Sequence, residues 1–156
     1  MREKFVNGPF LHVRGGRGVS ILCLILLLFA SCSREPVYGE ARRAGEYVVV
    51  DASKLALETP KYLTYHVRGK NVNFFVIKTG GRVLSFLDAC ASCYPYKRGF
   101  RFDSGYFICR ECNVRYSVTD LEKGIGRCFP IRLEGSLRNG VYYIPVASLE
   151  SGADKF

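Results

Sequence analysis

Four of the chain's seven cysteines form two matched pairs, and their spacing is the strongest chemical signal in the sequence. Cys90 and Cys93 form the first Cys-x-x-Cys pair, and Cys109 and Cys112 form the second, with fifteen residues between the pairs. Two intervening residues let a tight turn direct both sulfurs of a pair at one ion, and two such turns complete a tetrahedron. The sequence therefore predicts a metal site on these four cysteines.

The residues alone leave the identity of the metal open. An iron–sulfur cluster, zinc and copper(I) all accept thiolate ligands. Clusters are generally inserted in the cytoplasm and exported folded by a twin-arginine route, and no Arg-Arg pair precedes the chain's apolar leader, which favours zinc or copper(I). Two disulfides are the alternative to any metal, because oxidising compartments pair cysteines.

A fifth cysteine, Cys128, is a further candidate ligand. It precedes Pro130 by two residues, and it is either an exchangeable or redox-active thiol near the centre or a buried small residue. His66 could approach the metal, but an ordinary strand position is the favoured interpretation. We assign no catalytic residue, since no pair of carboxylates is placed for acid–base chemistry, and we expect an electron carrier or metal-binding protein rather than an enzyme.

Residues around the two pairs have expected supporting roles. Asp88 and Asp120 are placed to bond to loop amides. Aromatic residues are expected to pack beneath the loops and shield the site, namely Tyr94, Tyr96, Phe100, Phe102, Tyr106 and Phe107. Basic residues either stabilise an anionic thiolate centre or form an ordinary solvated surface, namely Lys97, Arg98, Arg101, Arg110, Arg115, Lys123 and Arg127.

Strands and turns must position these cysteines. Runs of β-branched and aromatic residues predict strands at residues 47–50, 63–67, 72–77, 82–87 and 141–146. Gly and Asn predict hairpin turns at residues 79–82, 103–105 and 139–140. Only residues 51–57 suit a helical turn, which Thr59 and Pro60 would end.

Each cysteine pair directly follows a predicted strand, with residues 86–89 leading into Cys90 and residues 105–108 leading into Cys109. Two loops from adjacent hairpins would therefore carry the four sulfurs. Asn113, after the second pair, suits a left-handed turn. The predicted fold is mostly β, a small antiparallel sandwich or barrel with two Cys-x-x-Cys loops.

The beginning of the chain predicts export. Residues 19–30 form an apolar stretch preceded by Arg14 and Arg17, too short for a membrane span of ~20 residues, so a secretory signal is expected and a short transmembrane anchor is the alternative. Residues 29–32 resemble the lipobox of bacterial lipoproteins. We therefore expect a signal peptide over residues 1–31, a lipid on Cys32, and loss of Cys23 with the leader.

Residues 32–46 are rich in Pro, Gly and charge, which predicts a flexible tether ahead of a metal-binding β domain at residues 47–156. The leader contributes +3 of the +9 net charge and the remaining chain +6. This excess is spread along the chain without a basic helix or an RNA-binding signature. It indicates attraction to anionic lipid or acidic partners rather than nucleic acid.

The order of hairpin, cysteine loop, hairpin, cysteine loop and Gly124-x-Gly126-x-x-x-Pro130 resembles the Rieske-type iron–sulfur domain. In that family each loop supplies one cysteine and one histidine, whereas both histidine positions are cysteines here and the first loop is one residue longer. Residues 116–130 look like the segment that covers the cluster in Rieske domains.

A closer resemblance covers residues 72–148. The segments 87–93, 97–100, 107–112 and 126–130 are similar to the FtrD-like family of membrane iron–sulfur proteins. The resemblance implies a cluster, expected as [2Fe–2S], on the four paired cysteines, electron transfer or metal handling linked to iron uptake, and a redox or iron-transport membrane protein as partner in the bacterial envelope. The alternative is a non-redox interaction module stabilised by structural zinc or two disulfides.

Overall fold

The computed structural model describes residues 35–156. The predicted signal peptide at residues 1–31 and the predicted lipid site at Cys32 lie outside the described residues. Within the described part of the chain, no helix is both long enough and apolar enough to cross a bilayer.

The described chain is mostly β. Its strands are β1 Gly39–Glu40, β2 Arg42–Ala44, β3 Tyr47–Asp51, β4 Lys61–Val67, β5 Lys70–Thr79, β6 Arg82–Cys90, β7 Phe100–Asp103, β8 Tyr106–Cys109, β9 Arg115–Ser117, β10 Pro130–Leu133, β11 Ser136–Arg138 and β12 Val141–Pro145. One short helix follows, α1 at Val146–Ser151. Single 3₁₀ turns occupy Ala52–Lys54, Tyr94–Tyr96, Val118–Asp120 and Gly152–Lys155.

The strands form three sheets. A five-stranded sheet has the order β1-β4-β5-β6-β10, a four-stranded sheet has the order β11-β12-β3-β2, and a three-stranded sheet has the order β7-β8-β9. Every strand pair is antiparallel except β1 with β4. The predicted mostly β, antiparallel fold is confirmed.

The five-stranded sheet contributes to two separate cores, because alternate side chains of a strand point to opposite faces. The scaffold core combines residues of this sheet, the four-stranded sheet and α1, including Val48, Leu63, Val72, Phe74, Val76, Leu87, Tyr142, Ile144 and Leu149. The site core combines its other face with the three-stranded sheet and consists of Phe75, Ile77, Leu84, Phe86, Cys90, Phe100, Phe107, Cys109, Tyr116, Val118 and Leu121. Burial on both faces explains why residues 74–77 of β5 and most of β6 from Val83 onward are apolar.

The three predicted hairpin turns are confirmed by the strand pairs β5–β6, β7–β8 and β11–β12. Asn139 and Gly140 both have positive φ, 47° and 78°, as a two-residue turn of this kind requires. A further turn at Arg68 and Gly69 joins β4 to β5 and also has two positive φ values, 48° and 74°. This turn was not predicted.

Three boundaries differ from prediction. The folded unit begins by Gly39 rather than Tyr47, because the described part of the expected tether contains β1, which pairs with β4, and β2, which pairs with β3. Residues 51–57 form only the short 3₁₀ turn at Ala52–Lys54, which Asp51 caps by accepting a 3.0 Å bond from Ser53 N–H. The last strand ends at Pro145, and Val146 begins a helix that was not expected.

Candidate metal centre

The two cysteine pairs begin at the ends of two strands in different sheets. Cys90 is the last residue of β6 and Cys109 the last residue of β8, and both are buried. Each pair turns back on itself: Cys93 N–H donates to the Cys90 carbonyl at 3.1 Å, and Asn113 N–H donates to the Cys109 carbonyl at 2.9 Å. Asn113 has φ of 58°, the left-handed conformation predicted for it.

Five sulfur atoms converge between these loops. The Sγ atoms of Cys93, Cys109 and Cys112 lie within 4.8 Å of one another, and so do those of Cys90, Cys93 and Cys128. The Sγ atoms of Cys112 and Cys128 are 3.6 Å apart. All five are free thiols.

A third segment brings Cys128 to this cluster. Residues 121–129, here called the cover loop, are held against the first cysteine loop by a bond of 2.9 Å from Ala91 N–H to the Phe129 carbonyl. A second bond of 2.7 Å runs from Ser92 Oγ to the Arg127 carbonyl. Both residues adjacent to Cys128 are therefore bound to the first loop, and Pro130 then pairs with Cys90 in β10.

Burial is the largest influence on the pKa of four of these thiols, Cys93, Cys109, Cys112 and Cys128. Burial raises the pKa of Cys109 to about 11, and it also raises the pKa of Cys93 and of Cys128, in both cases with a further contribution from a hydrogen bond to Cys112. For Cys112, burial opposes ionisation, but hydrogen bonds from Val114 N–H and the neighbouring thiols outweigh it and lower the pKa. The neutral thiol is therefore favoured at Cys93, Cys109 and Cys128, and a bound cation would favour the thiolate form of each.

The donor set fits an iron–sulfur cluster. It consists of soft sulfur ligands from two loops, which is the ligand type that iron–sulfur clusters, zinc and copper(I) share. Cys90 and Cys109 hold their sulfurs inside the site core, whereas Cys112 is exposed. The centre would therefore have one buried side and one side open to solvent.

Stacked aromatic rings form the inner wall of the site. Phe75 stacks on Phe107 with ring centroids 4.6 Å apart and on Phe86 at 5.4 Å. Of the predicted aromatic shield, Phe100 and Phe107 are fully buried in the site core, and Phe102 packs against Phe107 at 5.0 Å.

The prediction is wrong for the remaining members. Tyr96 and Tyr106 are 65% and 41% exposed, and Tyr94 packs against the scaffold core. Phe75 and Phe86 were missed as wall residues, although their alternation along β5 and β6 places them on the site face.

A buried carboxyl group lies two residues before the first cysteine. Asp88 accepts a 2.7 Å bond from Phe100 N–H, as predicted, and a short bond from the Tyr38 hydroxyl. Burial raises the pKa of Asp88 to about 6, against the opposing effects of these two bonds and of Arg110. Gly99 has φ of 64°, and a Cβ there would overlap the Asp88 carboxyl group. Tyr38 was not predicted to contact the site, since it lies in the expected tether.

The hydrogen bonds of Asp120 differ from those predicted. Its carboxylate accepts bonds from the side chains of Ser117 and, at 3.2 Å, Lys123, rather than from loop amides. These bonds, led by that of Ser117, lower the pKa of Asp120. The residue stabilises the turn that precedes the cover loop.

Four of the seven basic residues singled out from the sequence already have partners. Arg98 pairs with Glu111 at 3.3 Å, Lys123 pairs with Asp120, Arg110 pairs with Glu35, and Arg115 lies over the Tyr106 ring at 4.6 Å. Among the described residues, the other three form no ion pair: Lys97, Arg101 and Arg127.

His66 belongs to the scaffold rather than the sulfur cluster. Its Nδ1 atom lies 2.8 Å from Asn71 Oδ1, and its Nε2 atom lies 3.1 Å from Glu40 Oε2. The bond to Glu40, followed by the bond to Asn71, raises the pKa of the exposed imidazole. The pair joins β1 to β4.

Comparison with known proteins adds a family match. The family model described as membrane iron–sulfur containing protein, FtrD-like, matches residues 55–156. Among solved structures, one similar chain is the ferredoxin of carbazole 1,9a-dioxygenase from Nocardioides aromaticivorans IC177. It is 16% identical, covers 65% of this chain and 98% of its own, and has a TM-score of 0.41. The curated proteins contain no match.

Proposed function

Because this chain belongs to the FtrD-like family of membrane iron–sulfur proteins, we propose that it binds a [2Fe–2S] cluster through Cys90, Cys93, Cys109 and Cys112 and transfers single electrons at the bacterial envelope. The observation that carries the proposal is the convergence of these four sulfurs from the ends of β6 and β8, inside the region that the family model matches.

The ligand set predicts the reduction potential of the centre relative to a Rieske cluster and its dependence on pH. A cluster with four thiolates has a lower reduction potential than one with two histidines, and its potential is nearly independent of pH around neutrality because no ligand imidazole titrates. The site core keeps water away from Cys90 and Cys109. Within residues 35–156, Lys97, Arg101 and Arg127 form no ion pair, so their charges would be available to attenuate the negative charge of the centre. Cys112 marks the exposed side where electrons would enter or leave.

Contacts of the first described residues support a position close to the membrane. Glu35 pairs with Arg110, which lies between the cysteines of the second loop, and the Tyr38 hydroxyl bonds to Asp88, beside the first loop. We propose that Cys32 carries a lipid. It precedes Glu35 by three residues, which is at most about 10 Å of extended chain. A centre so close to its anchor suits a redox or iron-transport membrane protein as partner.

Metal and sulfide analysis of protein purified without oxygen tests the cluster. We expect two iron atoms and two acid-labile sulfides per chain, with visible absorbance that bleaches on reduction by dithionite. Cys109→Ala should lose both, whereas the exposed Ser53→Ala should retain them. A colourless protein with one zinc ion, or one without metal and without free thiols, would contradict the proposal.

Labelling with an alkyne-tagged fatty acid tests the anchor. The full chain should carry the label and sediment with membranes, and Cys32→Ser should do neither. Cys23→Ser is the matched control and should remain labelled. Label that persists in Cys32→Ser would place the modification elsewhere and contradict the anchor.

Structural zinc is a second candidate function for the same sulfurs. It is favoured by the absence of an Arg-Arg pair ahead of the apolar leader, which suggests a chain exported unfolded that acquires its metal outside. In that case the protein would be a non-redox interaction module, and the metal analysis above distinguishes it directly.

A further inference from the structure

The sulfur cluster contains one thiol more than a tetrahedral four-ligand set needs. Cys93 Sγ lies within 4.8 Å of the sulfurs of Cys109 and Cys112 and also of those of Cys90 and Cys128. The Sγ atoms of Cys112 and Cys128 are 3.6 Å apart. It follows that Cys93, Cys112 and Cys128 also lie mutually within 4.8 Å, so Cys128 reaches the same surroundings as Cys112.

The two neighbouring thiols differ in protection. Cys112 is the exposed member of the five, and a solvent-exposed thiolate is the one most accessible to protons and oxidants. Cys128 is half-buried and packs against the site core. A ligand bond to Cys112 is therefore the one most easily lost, and the nearest available replacement is the better protected thiol.

The cover loop is built to hold Cys128 in place. The carbonyl groups on either side of it accept bonds from Ala91 N–H and Ser92 Oγ, and Cys128 itself exchanges two backbone bonds with Ile125, at 3.0 and 3.1 Å. Gly124 has φ of 67°, and a Cβ there would lie 2.7 Å from the Phe129 Cβ atom. The loop thus requires a glycine to close tightly beside Cys128.

We propose that Cys128 is a reserve ligand that replaces Cys112 at the metal centre, an inference that rests on the proposed cluster ligands. In the exchange, the bond between the metal and Cys112 Sγ breaks and a bond to Cys128 Sγ forms. The proton that leaves the Cys128 thiol is taken up by the released Cys112 thiolate. No electron is transferred and the charge of the centre does not change. The exchange lets the protein keep its metal when the exposed ligand is lost.

The test compares three variants of the full chain, purified without oxygen, by iron content and visible spectrum. Cys128→Ala should keep the iron content and spectrum of the wild type. Cys112→Ala should keep at least about half of the iron with a shifted spectrum, because Cys128 completes the ligand set, and Cys112→Ala/Cys128→Ala should keep less than about a tenth. Circular dichroism of each variant establishes that it is folded.

Two further variants test the geometry. Cys109→Ala retains Cys128 but should lose its iron, because the sulfur beside Cys128 is that of Cys112, at 3.6 Å, whereas Cys109 is buried at the end of β8. Ser92→Ala removes the bond to the Arg127 carbonyl. It should leave the wild type unchanged but lower the iron retained by Cys112→Ala. Iron retained by Cys109→Ala, or equal losses from Cys112→Ala and the double variant, would overturn the proposal.

Titration with Co²⁺ separates this inference from the proposed cluster. Thiolate-to-cobalt absorbance per bound ion reports the number of thiolate ligands. Cys112→Ala should match the wild type, and the double variant should show about a quarter less. If the wild type holds no iron but this cobalt pattern appears, the cluster proposal fails and the reserve ligand stands. Absorbance in Cys112→Ala as low as in the double variant would reject the reserve ligand.

Discussion

Phe74 and Phe75 are neighbours on β5, both are completely buried, and their rings lie in different cores. Phe74 belongs to the scaffold core, which two sheets and α1 enclose. Phe75 belongs to the site core, where its ring stacks between Phe86 and Phe107. One strand therefore supplies a phenylalanine ring to each of the two cores.

The scaffold core consists of apolar side chains, whereas the site core also contains cysteine thiols. Cys90 and Cys109 are members of the site core, and Cys93 and Cys128 pack against it. The strands on its outer side, β7, β8 and β9, have only three or four residues each. Metal binding should therefore contribute to the folding of this side alone, and the following predictions test that difference.

Removal of the metal should have the largest effect. With a chelator under reducing conditions, we expect amide hydrogen exchange in β7–β9 to accelerate at least ~100-fold, about 3 kcal/mol of lost local stability, while β4 and β5 change little. Mass spectrometry of exchanged peptides provides the measurement. Uniform acceleration across both regions would show that the two cores are one cooperative unit.

Phe74→Ala and Phe75→Ala form a matched pair. Each should lower the free energy of unfolding by about 3–5 kcal/mol, because each leaves a cavity of the same size. Only Phe75→Ala should also reduce the iron bound per folded chain, since its ring supports the wall beside Cys90 and Cys109. Urea unfolding and iron analysis measure the two effects. Iron loss of equal size in Phe74→Ala would contradict the separation of the cores.

Gly99→Ala and Gly140→Ala should differ in their free energy of unfolding, by a smaller amount than in the preceding predictions. Both positions have positive φ, 64° and 78°, so each substitution carries a similar backbone cost. Gly140 has open space around it, whereas a methyl group at Gly99 meets the Asp88 carboxyl group. Gly99→Ala should therefore be destabilised by about 1–3 kcal/mol more in thermal or urea unfolding. Equal destabilisation would mean that Asp88 moves aside freely.

His66→Gln should have the smallest effect, confined to the scaffold. The pKa of His66 is raised by Glu40 and Asn71, so the imidazole stabilises the fold below its ordinary pKa of about 6.5 and loses this contribution as the pH rises through the raised value. The wild type should exceed the variant in stability near pH ~6 but not near pH ~9, and less so in high salt. Iron content should be unchanged. A stability difference independent of pH would exclude the ion pair as its cause.

Much of the fold was predictable because local signals were unambiguous. The apolar runs at 72–77 and 82–87 lie within β5 and β6, as predicted. The turns before Arg82 and Val141 occur at the Gly and Asn residues that predicted them. The strands β1 and β2 were not predictable, since they are short, exposed and charged, and they exist only because β4 and β3 offer them backbone partners. Edge strands of this kind carry little signal of their own.

By itself the sequence determined the two cysteine pairs, the strands that lead into them and the soft ligand chemistry, because residue type and spacing are local properties. Only the tertiary structure decided that a fifth sulfur from the cover loop meets the other four, that the expected tether inserts Tyr38 beside a buried Asp88, and that β5 serves two cores. These contacts join residues far apart in the chain. They depend on how sheets stack and which loops close over them, which no short-range pattern records.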